Sequence, residues 1–172
     1  GSKIAIGTTK DVIDEYNQVV FLTADKLGAY EVTITDGSYT KTVTFNASKY
    51  LGYENTVVNG VDTKLSCNTC HSGKVTEWKG TKHASKFTRS VNGQVGSYSS
   101  TCISCHTLGY DKNPTAINDG FDDFTFTFPT VIGAGVFDQL KTQFPDAIKR
   151  ANIQCESCHG PAGSHLGVTS DS

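Results

Sequence analysis

The sequence predicts a small β-rich N-terminal module, residues 1–62, followed by a region of short helices and long loops, residues 63–172. Three observations predict this division. Residues 1–62 contain no Cys and no His, and apolar and polar residues alternate there as they do in strands. All six Cys of the chain lie beyond residue 62, in a recurring motif. Only 37% of the 172 residues are hydrophobic, so we expect another apolar body to help fill a thin core.

The β-rich module contains one clear hairpin signal. Residues 30–34 alternate between apolar and polar side chains, Asp36-Gly37 supplies a two-residue turn, and residues 39–45 resume the alternation. Residues 4–6 and 19–22 add two predicted strands. An immunoglobulin-like arrangement is one form that such a module can take. Its predicted role is structural, or else docking and self-assembly.

The six cysteines all belong to the pattern C-x-x-C-H, which occurs three times. The copies are Cys67, Cys70 and His71; Cys102, Cys105 and His106; and Cys155, Cys158 and His159. A zinc site takes four ligands and gives no reason for a His directly after every second Cys. A redox dithiol uses a single C-x-x-C in a thioredoxin-like setting. Structural disulfides account for an even number of cysteines but leave the histidines unexplained.

Covalent haem attachment explains the whole pattern. Each thiol adds to one vinyl group of the porphyrin, the two-residue gap matches the vinyl separation along one turn, and the next residue places its imidazole under the iron. We therefore predict three covalently attached haem c groups and a haem-packed cytochrome c region over residues 63–172. Three porphyrins would replace much of a side-chain core. Attachment of this type takes place outside the cytoplasm, which predicts a periplasmic or extracellular, cell-surface location.

The histidines do not suffice for every axial position. His71, His106 and His159 are the predicted proximal ligands, and His83 and His165, each close to a motif, are the predicted distal ligands. Three haems have six axial positions, the chain has five His, and it has no Met. One haem is therefore five-coordinate, or takes Lys, Tyr, Asn, water, a terminal amine or a ligand from another protein or chain segment. The lack of Met also predicts low reduction potentials.

Between the second and third motifs the sequence predicts further elements. Residues 124–128 alternate Phe and Thr like a strand, and their aromatic rings are expected to line the core or haem edges. Residues 135–144 and 146–153 are predicted helical segments, with Pro145 between them and Asp146 as the cap of the second.

The sequence argues against nucleic-acid binding and against a membrane span. The chain has 15 basic and 17 acidic residues and no basic run, which argues against nucleic-acid binding. No apolar stretch approaches the roughly 20 residues of a membrane span.

Three segments resemble one known group of proteins. They are residues 77–84, EWKGTKHA; residues 102–110, CISCHTLGY; and residues 155–165, CESCHGPAGSH. They are similar to segments of the multihaem c-type cytochromes, the family of the tetrahaem cytochrome c of ammonia oxidisers and related extracellular multihaem cytochromes. The likeness covers about residues 65–166, and this chain lacks a fourth haem motif.

The resemblance implies haems packed in alternating stacked and perpendicular pairs, one of which can be five-coordinate. It places the unusual sixth position on the haem of Cys102 and Cys105, so His83 and His165 would serve the other two haems. Because a His so close to a motif commonly points at a neighbouring haem, we expect crossed ligation. His83 would bind the third-motif haem and His165 the first.

The predicted function is electron transfer, with other redox proteins as partners or with copies of the same chain in an extracellular conducting filament. The alternative is a redox enzyme that binds a nitrogen oxide or hydroxylamine at an open axial position, with Tyr110 and Lys112 as its only apparent helpers. Turnover of such a ligand would favour the enzyme, and an inert haem would favour electron transfer.

Overall fold

The computed structural model describes residues 24, 27–54, 56–58, 61–111 and 117–166. Two antiparallel hairpins precede a region of short helices, which confirms the predicted order of β-hairpin and helical parts. The strands are β1 Gly28–Asp36, β2 Tyr39–Ala47, β3 Thr56–Val58 and β4 Val61–Lys64. The α-helices are α1 Cys67–Lys79, α2 Lys86–Val91, α3 Ile103–His106, α4 Val136–Gln143, α5 Pro145–Ile148 and α6 Glu156–His159. Single 3-10 turns cover His83–Ser85, Ser100–Cys102, Phe121–Asp123 and Gly163–Leu166.

Among the helices of the described residues, none has both the length and the apolar character needed to cross a membrane.

The β1–β2 hairpin confirms the predicted turn. The strands pair from Gly28 opposite Ala47 to Asp36 opposite Tyr39, and Gly37 takes the positive φ of 56° that the turn requires. One face is apolar at its base, where the Tyr30 and Phe45 rings stack at 5.4 Å between centroids. The strands predicted at residues 4–6 and 19–22 lie outside the described residues.

The segment that follows β2 joins the hairpin to the helical region. The Tyr50 amide donates to the Asn118 carbonyl (2.7 Å), and the Gly163 amide donates to the Lys49 carbonyl (3.0 Å). The Cys67 amide, at the start of α1, donates to the Gly52 carbonyl (3.4 Å). Residues 48–53 are called the connecting segment below. They lie on the N-terminal side of the predicted 62/63 boundary, which stays a prediction, and they are fastened to residues on its C-terminal side.

The hydrophobic core lies between α2, α4 and α5 and is rich in aromatic rings. Phe87 of α2 is completely buried, and its ring contacts Phe121 at 6.0 Å between centroids. Phe126 packs against Phe121 at 4.8 Å and against Phe144 at 5.4 Å. The prediction that the residue 124–128 aromatics line the core is therefore confirmed. The predicted strand is wrong, because this segment pairs with no other strand in the part of the chain that the structure describes.

The two predicted helices near Pro145 are both present but shorter. The first is α4, which begins after Gly135 (φ 81°), and the second is α5, which ends at Ile148. The predicted cap at Asp146 is wrong, because α5 begins one residue earlier at Pro145. Proline suits the first helical position, since its φ is already helical and its missing N–H has no helical partner there. Asp146 instead forms an ion pair with Lys149 (2.9 Å).

Candidate functional site

The first C-x-x-C-H motif occupies the first turn of α1. The Ser66 hydroxyl accepts the Asn68 amide (3.3 Å) and so caps this end of the helix. Cys67 and Cys70 are three residues apart on a helical turn, so both thiols lie on one face. The helix then kinks at His71, whose φ and ψ of −116° and 36° are not helical. The motif is therefore one regular turn that ends at its histidine.

The second motif forms a similar single turn. Cys102 closes a 3-10 turn and α3 continues to His106, after which Thr107 becomes extended and bridges to Ala151. Hydrogen bonds from the backbone and hydroxyl of Ser99 lower the pKa of the Cys102 thiol. A lower pKa increases the thiolate fraction, which is the nucleophilic form of cysteine.

The third motif starts at Cys155, continues through α6 and ends at His159. Gly160 follows in the left-handed region with φ 79°, where glycine is favoured. The three motifs thus share one local structure, a helical turn that ends or bends at the histidine. In each copy the first cysteine is half-buried and the second is exposed, and all six thiols are free of disulfides.

Glu156, inside the third motif, joins that motif to the connecting segment. Glu156 is only 3% exposed. The carboxylate accepts the amides of Leu51 (3.1 Å), Gly52 (2.7 Å) and Ala162 (2.7 Å). These charge-assisted bonds replace the water that a buried carboxylate loses. The sequence pattern gave no separate signal for this role, because its first two partners are more than 100 residues away along the chain.

The first and third motifs lie next to each other. Burial raises the pKa of the Cys67 thiol to about 11, and the negative charges of Glu156 and Cys155 add to the effect. The first cysteines of the two motifs are therefore neighbours, although they are far apart in the sequence.

Arg150 ties the second motif to the same scaffold. Its guanidinium donates to the carbonyls of Asp119 (2.7 Å), Leu51 (3.0 Å) and Tyr50 (3.1 Å). Its own carbonyl accepts the amide of Leu108 (2.8 Å), two residues beyond the second motif. All three motifs are thus fastened around the connecting segment. Sequence reasoning missed Arg150, since its partners are backbone carbonyls that no side-chain pattern marks.

His83 is placed beside the chain that leads into the third motif. Its carbonyl accepts the Ile153 amide (3.2 Å), two residues before Cys155. The Trp78 indole donates to the carbonyl of the same residue, Ile153 (2.9 Å). The His83 residue is exposed.

His165 lies in a 3-10 turn that contacts the connecting segment. In its 3-10 turn, the Gly163 amide donates to Lys49 (3.0 Å) and the Ser164 amide donates to the Ser48 hydroxyl (2.6 Å). The His165 residue is also exposed. The His83 backbone thus contacts the chain just before the third motif, whereas the turn that contains His165 contacts the connecting segment.

His106 has a more enclosed setting than the other histidines. Burial lowers its pKa, and the charge of Lys86 lowers it further, so the imidazole favours the neutral form that binds metals. Its Nδ1 atom is buried and has no hydrogen-bond partner among the described residues. Its ring lies nearly parallel to that of Tyr98, 5.5 Å between centroids and 14° between planes.

The donor set suits covalent haem better than a bare metal ion. Two free thiols on one face of a turn, followed by an imidazole, are what attachment and iron ligation require. Within residues 24, 27–54, 56–58, 61–111 and 117–166, no group of three His, Cys, Asp or Glu is arranged to hold a metal ion.

Comparison with known families gives one match. The family model described as cytochrome c554 and c-prime matches residues 66–123. The matched region contains the first two motifs and His83, and the third motif lies beyond it. The match supports a c-type cytochrome family, covalently bound haem c with iron, and electron transfer as the function. Neither the curated proteins nor the solved structures contain a match to this chain.

Proposed function

We propose that this chain is an electron-transfer protein with three covalently attached haem c groups. The observation that carries the proposal is the repetition of one local structure. Three helical turns each hold two free thiols and end or bend at a histidine. The family match includes two of these turns, and the third has the same form outside the matched region.

The proposed ligands follow the motifs. The thioether bonds are made by Cys67, Cys70, Cys102, Cys105, Cys155 and Cys158. The proximal ligands are His71, His106 and His159. The distal ligands are His83 and His165, in crossed arrangement. The contact of the His83 carbonyl with Ile153 supports its assignment to the third-motif haem. The assignment of His165 to the first-motif haem completes the crossed arrangement.

Haem c supplies reversible one-electron chemistry at its iron. The chain's own residues determine where that chemistry takes place. Glu156 and Arg150 hold the three attachment turns at fixed separations by bonding the connecting segment from two sides. Fixed separations matter because electron transfer needs closely placed centres and potentials set by ligands, burial and hydrogen bonds.

The second-motif haem is proposed to have the unusual sixth position. Tyr98 is not its sixth ligand, because the Tyr98 ring packs flat on the proximal imidazole of His106. Tyr98 would instead support the imidazole of His106, which is the residue that would hold the iron of this haem. For the sixth position we propose five-coordinate or water-ligated iron, while Lys, Asn, a terminal amine and a ligand from another protein or chain segment stay as the alternatives.

A small-molecule redox enzyme is the second candidate, and one observation favours it. Cys105 and Tyr110 line the same cavity, of about 290 Å³, together with Asp111. The second predicted helper, Lys112, lies outside the described residues. This cavity could admit a small nitrogen-containing ligand near the second-motif haem.

Self-assembly into an extracellular filament is a finer part of the proposal. An exposed apolar face of the β1–β2 hairpin supports it, since Ile34 is 59% exposed and Val43 is 45% exposed. Isolated two-stranded hairpins are marginally stable in water, so a second copy of the chain is a suitable partner for this apolar face. Because c-type cytochromes are typically secreted, we propose a periplasmic or cell-surface location.

A redox titration followed by a ligand-binding assay tests the function. An electron carrier is expected to show reversible reduction of every haem at low potential and no turnover of nitric oxide, nitrite or hydroxylamine. Catalytic consumption of one of these compounds would favour the enzyme instead. Haems that cannot be reversibly reduced would contradict electron transfer.

A further inference from the structure

Two buried polar atoms lack hydrogen-bond partners among the described residues, and they belong to adjacent rings. They are Oη of Tyr98 and Nδ1 of His106. The rings are 5.5 Å apart between centroids, with 14° between their planes. Buried polar groups in proteins are nearly always hydrogen-bonded, because an unsatisfied one costs about 1–3 kcal/mol. Two such atoms on stacked rings therefore need a common explanation.

The Tyr98 ring is held in place by its other neighbours. Phe87 meets it edge-on, 6.1 Å between centroids and 88° between planes, and Phe128 contacts it at 6.0 Å. Phe87 is completely buried in the core, so Tyr98 packs against a ring that is itself enclosed. The hydroxyl of Tyr98 is thus carried on a fixed ring beside the imidazole. A tyrosine hydroxyl has oxygen lone pairs that can accept a hydrogen bond.

His106 needs an acceptor for the nitrogen that does not face the iron. A histidine that binds a metal normally donates its other ring N–H to an oxygen, which fixes the ring and raises the basicity of the ligand. Among the described residues no atom accepts a hydrogen bond from Nδ1 of His106.

We propose that Tyr98 is a positioning residue for His106, whose Nδ1–H donates to one water molecule that in turn donates to the Tyr98 hydroxyl oxygen. This inference rests on the proposed function, because it assigns Nε2 of His106 to iron. The hydrogen bond makes the imidazole a stronger donor and stabilises the oxidised iron. Tyr98 thereby lowers the reduction potential of the second-motif haem relative to a ring without the hydroxyl.

The test compares Tyr98→Phe, which removes only the hydroxyl, with Tyr98→Leu, which removes the ring as well. Tyr39→Phe is the matched control, because Tyr39 lies on the hairpin and is 65% exposed. Each purified holoprotein is titrated by spectroelectrochemistry, and the iron–histidine stretch of the reduced protein is measured by resonance Raman. A variant with Ala at positions 102 and 105 identifies which component of the titration belongs to the second-motif haem.

Tyr98→Phe is expected to raise that one midpoint potential and lower the iron–histidine stretching frequency, while the other haems and the haem content stay unchanged. Tyr39→Phe is expected to change neither quantity. An unchanged potential and frequency in Tyr98→Phe, with haem present on Cys102 and Cys105, would overturn this inference alone. If only Tyr98→Leu shifts the midpoint potential, the ring packing of Tyr98 and not its hydroxyl sets that potential, and the inference is wrong. If the wild-type protein carries no haem on these cysteines, the proposed function fails together with the inference.

Discussion

The amide of Gly52 donates a 2.7 Å hydrogen bond to the carboxylate of Glu156, and this contact joins the entrance of the first motif to the interior of the third. Gly52 also accepts the amide of Cys67, the first residue of α1. The position of one attachment turn relative to another therefore depends on a buried carboxylate and a few backbone groups. This contact gives the first prediction.

Glu156→Gln is expected to lower the free energy of unfolding of the holoprotein by about 3 kcal/mol. The amide presents an NH2 group towards backbone N–H donors and removes the charge that strengthens the existing bonds. Glu77→Gln is the control, because Glu77 is exposed and its pair with Lys74 contributes at most about 0.5 kcal/mol. Denaturant titration of both variants measures the difference. Equal stabilities would show that the buried carboxylate does not hold the motifs.

Arg150→Lys is expected to lower the free energy of unfolding by about 2–4 kcal/mol. A lysine ammonium cannot reach three carbonyls in the fixed fork geometry of a guanidinium, so buried carbonyls lose their donors. Lys149→Ala is the adjacent control, since Lys149 forms an i,i+3 surface pair with Asp146. The same denaturant titration applies. If Arg150→Lys unfolds at the same denaturant concentration as the wild-type protein, the role assigned to the three hydrogen bonds of Arg150 is contradicted.

Gly109→Ala is expected to be strongly destabilising, by about 3 kcal/mol or more. Gly109 has a φ of +73°, and a Cβ there would lie 2.5 Å from Cδ2 of Tyr50 and 2.8 Å from Cα of Gly120. Gly73→Ala is the opposite case, because Gly73 lies inside α1 with open space around it. Gly73→Ala is expected to raise the free energy of unfolding by as much as about 1 kcal/mol. Thermal and denaturant unfolding measure the loss of stability in Gly109→Ala and the gain in Gly73→Ala. An unchanged stability of Gly109→Ala would contradict the close packing of Gly109 against Tyr50 and Gly120.

Crossed ligation predicts which haem responds to each distal histidine. His83→Ala is expected to convert one haem from low spin to high spin, as seen by optical and electron paramagnetic resonance spectroscopy. Combined with Ala at positions 155 and 158, which removes the third-motif haem, it should have no further effect. Combined with Ala at positions 67 and 70, it should still convert one haem.

His165→Ala provides the matched reverse experiment. Its effect should disappear when the first-motif haem is removed and persist when the third-motif haem is removed. The opposite pattern in both series would mean that each histidine serves the haem of the motif that precedes it in the sequence.

The sequence predicts those features that depend on neighbouring residues. The β1–β2 hairpin needs only local alternation and the Asp36-Gly37 turn, and the motifs carry their chemistry within five residues. Residues 124–128 show the limit, because alternation predicts a strand only if a partner strand is available. Here Phe126 packs among other rings instead. The roles of Glu156 and Arg150 were also inaccessible, since their partners on the connecting segment lie about 100 residues away.

The haem content of native protein tests the central claim most directly. Intact-mass measurement combined with a pyridine haemochrome assay on the same sample gives the number of covalently bound haems per chain. The account predicts three, with all six thiols blocked against alkylation. A mass equal to the bare polypeptide, or free thiols at any of the three motifs in fully matured protein, would contradict it.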